Sequence, residues 1–400
     1  MTVAFIDGRV IVGDGRMLDH ATVLVEDGKI QKIAQNGMNI PKDTQTIPLD
    51  GQTLLPGFID AHIHICMDGS PDPVAAGLTE PPTITTLKAA ESARRTLMAG
   101  VTTVRDMGGK DGIDFGLRQA IDSGLIPGPR MLISGRLICM TGGHGWQIGL
   151  EANGPDEVRK AAREQIKAGV DIVKLMATGG VLTPAVEPGS EQLTEEELRA
   201  GVEEAHKAGK KTATHAMGTR GIQNALRAGI DSIEHGVYLD DATVSMMMER
   251  NIPLIPTISA LYNIETKGIE AGIPAFAVEK TLKVKPFHLD SIRMAREAGV
   301  LVAAGTDAGT PFNLHGENLG EIKLLVDYGG FSPMAAIEAG TRVAARVLGL
   351  EKELGTVEEG KVADLVLVEG NPLDNIDVLL NQESICLVMQ GGKIVKGEIF

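Results

Sequence analysis

The sequence predicts an α/β fold: a (β/α)8 barrel of the TIM type carrying a small β-sandwich built from the two ends of the chain. Three observations lead there. Between residues 54 and 355, apolar strand-like runs alternate eight times with helical patterns, which is the sequence form of such a barrel. Residues 1–53 and 356–400 hold only short β-type runs broken by turns. Neither end is large enough for a core of its own, so the two are expected to form one composite domain around the inserted barrel. An open doubly wound sheet is the rival architecture, but no GxGxxG follows an early strand.

Taken in order, runs 3–6 and 9–12 flank Asp7-Gly8, and runs 21–26 and 29–33 flank Asp27-Gly28. Both pairs read as β-hairpins. The first barrel strand runs into 54–65, followed by a Pro- and Gly-rich loop at 68–82 placed to act as a lid. A helix over 83–99 stops at Gly100. Strand 101–106 leads to helix 112–123, and strand 130–135 to helix 155–168. Strand 170–177 leads to helix 194–208, where Thr194-Glu-Glu-Glu197 has the form of a capping box. Strand 211–216 precedes helix 221–228, and strand 232–236 precedes helix 240–250. Strand 252–259 precedes helix 280–298, and strand 300–307 precedes helices at 317–327 and 333–347. Segment 355–360 crosses back to a strand at 364–369 and a hairpin of 385–390 with 393–395 about Gly391-Gly392.

Composition removes several function classes. The net charge is −15 with a pI near 5.1, and no Lys/Arg run stands out, which disfavours nucleic acid as a partner. Cys66, Cys139 and Cys386 are odd in number and far apart, so neither a disulfide framework nor a CxxC metal site is expected and a reducing compartment is. The start of the chain has no basic segment before an apolar one, and no run of about 18 apolar residues could span a membrane. A cytoplasmic enzyme with no membrane partner is the expectation. Aromatics are 3%, so the core must be built from Val, Ile, Leu, Ala and Met.

The chemistry-bearing residues fall at the strand ends, where barrels of this kind place their sites. The first strand ends in His62-Ile-His64, and side chains two apart share a strand face. The fourth carries Lys174 inside an apolar run, where an amine is costly unless partnered. The fifth ends in His215, the sixth in His235 and the eighth in Asp307. Any one of these could be ordinary packing, a snorkelling lysine or a turn-starting aspartate. Five separate strands would have to be coincidences together, whereas one metal site accounts for all six residues.

Pro56-Gly-Phe-Ile-Asp-Ala-His-Ile-His64, then Lys174, His215, His235 and Asp307 in that order, resembles the amidohydrolase superfamily of metal-dependent hydrolases. Gly100-Val-Thr-Thr-Val-Arg-Asp106, Glu234-His-Gly236 and Ala304-Gly-Thr-Asp307 are similar to its imidazolonepropionase-like, prolidase and Xaa-Arg dipeptidase branch, and the similarity spans essentially the whole chain. The resemblance implies two divalent metals, most plausibly zinc. His62, His64 and Asp307 would hold one, and His215 and His235 the other. Lys174 would be converted by CO2 to a carbamate joining them, which replaces an ammonium repelled by the metals with an anionic ligand. Asp307 would also be the general base that takes a proton from the attacking water and returns it to the leaving amine.

The implied reaction is hydrolysis of an amide C–N bond in a small molecule, a dipeptide such as Xaa-Pro or an N-acyl amino acid. The alternatives are a one-metal cyclic amidohydrolase or deaminase, or a lactonase, carbamate or phenylurea hydrolase on the same site. A non-enzymatic homologue fits poorly, because all six ligand residues are present. Relatives are often homo-oligomers, so self-association is compatible with the resemblance. For the substrate, His144 in the loop Thr141-Gly-Gly-His144-Gly-Trp146 is expected to be catalytic and to meet the substrate carbonyl or carboxylate. Tyr238 and His315 are the further substrate-binding candidates, with Asn318 or Glu321 holding the loop after the eighth strand. Arg105, Arg130 and Arg136 lie near strand ends without forming an evident carboxylate clamp, and His20, His206 and His288 are read as structural or exposed.

Overall fold

The two ends of the chain meet in one sheet. The structure is a computed structural model describing residues 2–397. Its eight-stranded mixed sheet contains Val3–Ile11, Met17–Glu26, Lys29–Gln35, Gln45–Pro48, Gln52–Pro56, Leu365–Glu369, Ile385–Gln390 and Lys393–Lys396. Leu365–Glu369 runs antiparallel to Gln52–Pro56, with Leu365 opposite Pro56. Val3, Phe5, Val10 and Leu54 from one end share a buried cluster with Leu365, Leu367 and Met389 from the other. Segment 355–360 crosses back as expected, its Val357 N–H donating to the Val12 carbonyl and its Gly360 N–H to that of Ile30.

One predicted hairpin is absent. Asp7-Gly8 does not turn the chain: it lies within a single strand, Val3–Ile11, as an irregularity where Asp7 takes φ +51°. A bulge absorbs the positive φ that the sequence signal reports, and a Cβ on Gly8 would come within 2.1 Å of the Leu49 Cβ. Asp27-Gly28 does form the hairpin. Positive φ at both residues is the signature of a type I′ turn, which matches strand twist.

The barrel strands are Phe58–Ile63, Val101–Asp106, Arg130–Ile133, Ile172–Met176, Lys211–Ala216, Ile233–His235 and Leu254–Ile255, followed by an extended eighth segment. Parallel ladders join the first three, and the fourth through the seventh. The third meets the fourth through the Asp171 N–H on the Ile133 carbonyl, and Ile138 pairs with Leu175. Residues 300–307 make isolated contacts instead of a full ladder. Val302 bridges to Leu254, Ala308 to Ile63, and the Asp307 N–H donates to the His62 carbonyl at 2.7 Å. Those bonds close the ring beside the first strand. Gly305 permits the approach, since a Cβ there would lie 2.4 Å from Ile255 Cγ2.

Most helices match their predicted positions within a few residues, and the Thr194–Glu197 capping box forms in both directions. Three differences bear on the site. The loop 68–82 contains a short helix, Pro73–Thr79, capped by the Asp72 carboxylate on the Ala75 N–H. The predicted strand 252–259 ends after Ile255 and gives way to a helix, Ile258–Lys267, through Thr257 at φ +53°. Finally, 333–347 is interrupted by a π-turn at Ala339–Val343, whose Ala339 carbonyl accepts the Ala304 N–H of the eighth segment. No helix among the described residues is long and apolar enough to cross a membrane.

Candidate active site

At the mouth of the barrel the six predicted ligands converge. His62 Nε2 and His64 Nε2 each lie 3.3 Å from Asp307 Oδ1. Ring centroids are 5.2 Å apart for His62 and His235, and 4.4 Å for His235 and His215. His62, His235 and Asp307 each offer a ligand atom within 4.8 Å of the others. Asp307 and His235 hold left-handed φ values of +60° and +72°, a conformation that costs a non-glycine residue energy and concentrates at functional positions. Lys174 is 2% exposed and has no carboxylate within 4.0 Å among the described residues. Burial pushes its amine down to about 8.

The neighbours decide which nitrogen of each histidine is free. His62 Nδ1 faces Glu234 Oε2 at 2.8 Å, an acceptor that fixes the proton on Nδ1. His64 Nδ1 faces the Gly108 carbonyl. The Thr257 hydroxyl donates to the Pro256 carbonyl and so accepts from His235 Nδ1 at 2.7 Å. These three rings therefore spend Nδ1 on an outward acceptor and turn Nε2 inward. His215 is reversed: its Nε2 donates to the Gly179 carbonyl at 3.2 Å, which leaves Nδ1 as the free nitrogen. Burial holds His215 and His235 well below the usual histidine range. Burial alone would raise the Asp307 carboxyl; positive charge beside it, at His62 and His64 when they are protonated, holds it well below the usual carboxylate range. His62 Nε2 and Asp307 Oδ1 are buried without a hydrogen-bond partner. Inward imidazole nitrogens, a carboxylate and orphaned inward atoms fit a divalent metal.

Two buried carboxylates hold the ligand strands in place. Asp60 accepts from the His62 and Thr306 N–H groups, the Thr306 hydroxyl and Asn318 Nδ2, pinning the first strand to the eighth. Glu234, besides orienting His62, accepts two bonds from Arg105 Nη2 at 2.8 and 2.9 Å. Burial would raise the Glu234 carboxyl, yet Arg105 and His62 hold it well below its usual range. Ser232 Oγ joins both partners, and Arg105 Nε donates to the Ala61 carbonyl. Arg105 is thus an internal counter-ion, not a substrate clamp. Arg130 pairs with Asp364 and Arg136 with loop carbonyls. Neither lines the cavity.

Above these residues a cleft opens to solvent. His144 lines it, its Nδ1 2.8 Å from the Thr183 hydroxyl and its ring 4.4 Å from that of His215. Burial pushes it down to about 3, so it is neutral. It is seated against Gly180, where a Cβ would fall 2.3 Å from His144 Nε2. Gly180→Ala should therefore displace the imidazole. A loss of about 10²-fold in kcat/KM with metal content unchanged is expected, and steady-state kinetics beside metal analysis would check it.

Two substrate-binding expectations do not match their places in the structure. His315 does not line the cleft: its Nε2 faces the carbonyls of His64 and Met67 at 3.2 and 3.1 Å, bracing the turn after the first strand. Tyr238 packs on Phe287, ring centroids 5.2 Å apart, outside the cleft lining. The reason is directional, since both follow a ligand strand yet turn away from its axis. Asn318 does hold the loop, while Glu321 caps the helix Ile258–Lys267 through the Ile258 and Ser259 N–H groups. His288, read as structural or exposed, is buried in the cleft wall with neither ring nitrogen partnered. Its position on a long helix carried no sequence signal.

The amidohydrolase family model matches residues 53–395. The chain belongs to the amidohydrolase family. Membership makes this amidohydrolase a hydrolase of carbon–nitrogen bonds, and the family is metal-dependent. The chain is 31% identical to ochratoxinase of Aspergillus niger over 428 aligned positions, covering 98% of this chain and 86% of that one. A solved Xaa-Pro dipeptidase with bound methionine in its active site is 33% identical at a TM-score of 0.92, covering 99% of this chain and all of the other. A prolidase complexed with N-methylphosphonate-L-proline is 30% identical, also at 0.92, with full coverage of both.

Proposed function

We propose that this amidohydrolase is a two-metal, zinc-dependent hydrolase of the amide bond in dipeptides or N-acyl amino acids. The observation that carries the reading is the buried Lys174 amine, with no carboxylate within 4.0 Å among the described residues, in the same cleft lining as His62, His64, His215, His235 and Asp307. His62, His64 and Asp307 would hold one metal and His215 and His235 the other. Lys174 Nζ, adding to CO2 with loss of a proton, would supply a carbamate oxygen to each. When bound, the metals lower the pKa of water and polarise the scissile carbonyl. Asp307 Oδ receives the proton of the attacking water and delivers it to the leaving nitrogen. His144, neutral and fixed by Thr183, is placed to donate from Nε2 to the substrate. The names of the relatives support amide substrates: ochratoxinase, Xaa-Pro dipeptidase and prolidase.

Metal analysis and a substrate screen test this reading together. Protein prepared with zinc and bicarbonate is expected to hold two equivalents of metal and to hydrolyse members of a dipeptide and N-acyl amino acid library. Lys174→Ala should lose at least one equivalent and most turnover. A single tightly held metal with an unmodified Lys174 would instead favour the cyclic amidohydrolase type, to which the Thermoplasma volcanium imidazolonepropionase, 22% identical, gives its name.

A further inference from the structure

Outside the metal-binding residues, the cleft has one charged lining side chain among the described residues, Lys110. It follows the second barrel strand, two residues beyond Gly108, whose carbonyl orients His64. Its side chain is 17% exposed. Nζ donates to the Gly77 carbonyl of the helix Pro73–Thr79, and the nearest carboxylate, Asp111 Oδ2, is 3.6 Å away and itself half-exposed. One carbonyl and a half-exposed aspartate leave a largely buried ammonium with donors to spare.

Much of the rest of the lining is apolar. Val181 and Leu182 follow the fourth strand, and Leu261 and Ile264 lie on the helix after the seventh. Val181, Leu261 and Ile264 belong to one apolar cluster that continues into the helix Ala275–Ala298. The cleft lining thus offers an approaching molecule one cation outside the candidate metal ligands and, on the loop after the fourth strand and the helix after the seventh, hydrocarbon.

Resting on the amide-hydrolase reading, we propose that Lys110 is the carboxylate anchor of the cleft. The substrate class is then an N-acyl amino acid or dipeptide with a free carboxylate and a bulky apolar acyl part. The anion accepts from Lys110 Nζ, and the acyl group lies against the wall of Val181, Leu182, Leu261 and Ile264. This is the clamp that Arg105, Arg130 and Arg136 do not provide.

The test compares N-benzoyl-leucine with its carboxamide, using zinc- and bicarbonate-supplemented protein. For the parent, the acid is expected to be the better substrate. Lys110→Met should raise KM for the acid about 10- to 100-fold, with kcat little changed and kcat/KM for the carboxamide within about twofold of the parent. Lys110→Arg should recover most of the loss. Calorimetry with N-benzyl-leucine, which has no amide to cut, gives a reading independent of turnover: Lys110→Met should weaken its binding by a similar factor. Equal losses on acid and carboxamide, a parent preference for the carboxamide, or unchanged binding of N-benzyl-leucine would each overturn the anchor. Hydrolysis of neither compound alongside Lys110-dependent binding would overturn the amide reading and keep the anchor.

Discussion

Asp307→Asn is expected to lower kcat by about 10³-fold or more while the protein keeps most of its metal. The separation follows from what the substitution changes. Asparagine preserves an oxygen where Asp307 Oδ1 lies 3.3 Å from both His62 and His64, and those histidines remain oriented by Glu234 and Gly108. What is lost is a carboxylate able to hold a proton between water and leaving group. The φ of +60° is not an obstacle, because asparagine tolerates the left-handed region about as well as aspartate. Metal analysis beside stopped-assay kinetics would read both quantities. Undiminished turnover removes Asp307 from the proton-transfer role, and loss of both metals makes it a ligand before anything else.

The barrel was legible because short apolar runs follow glycine helix stops in turn, and the candidate ligands were legible because they fall at strand ends. His62, His64, Lys174, His215, His235 and Asp307 could be placed together from topology alone. Direction was not legible. His315 and Tyr238 follow ligand strands as closely as His144 follows its own, but only His144 turns into the cleft. The helix at Ile258–Lys267 was not legible because its first residues, Ile258 and Ser259, extend the apolar β-type run that begins at Ile252. What ended the strand there is Thr257, whose left-handed backbone also brings its hydroxyl to His235. Asp7-Gly8 shows the converse error: the dipeptide reports positive φ correctly, and only the partner strand reveals a bulge.

Long-range pairing was the least visible layer. Arg105 and Glu234 stand in two of the phrases that identify the family, yet nothing in either phrase says that they touch across 129 residues. The same holds for Asp60, which joins the first and eighth strands through Thr306 and Asn318. Such groups matter because a ligand histidine is only as well aimed as the acceptor behind it.

Glu234→Gln tests that layer and should have the second largest effect. The amide can still meet His62 Nδ1, but it removes the anion facing a buried Arg105. Breaking a buried pair by removing one partner costs about 3–5 kcal/mol, which should appear as a lower denaturation midpoint in metal-free protein. Weaker support of His62 should also reduce zinc affinity by about 10- to 100-fold, so activity should return as zinc is raised. The double variant Arg105→Met/Glu234→Met separates the two contributions. Removing both charges should restore much of the stability, because no uncompensated ion remains, but not the zinc affinity, because methionine leaves His62 with no acceptor at all. Parent-like zinc binding in both variants would reduce Glu234 to a counter-ion for Arg105. A zinc deficit in both, with stability recovered only in the double variant, assigns the carboxylate to aiming the ligand as well as to neutralising the arginine.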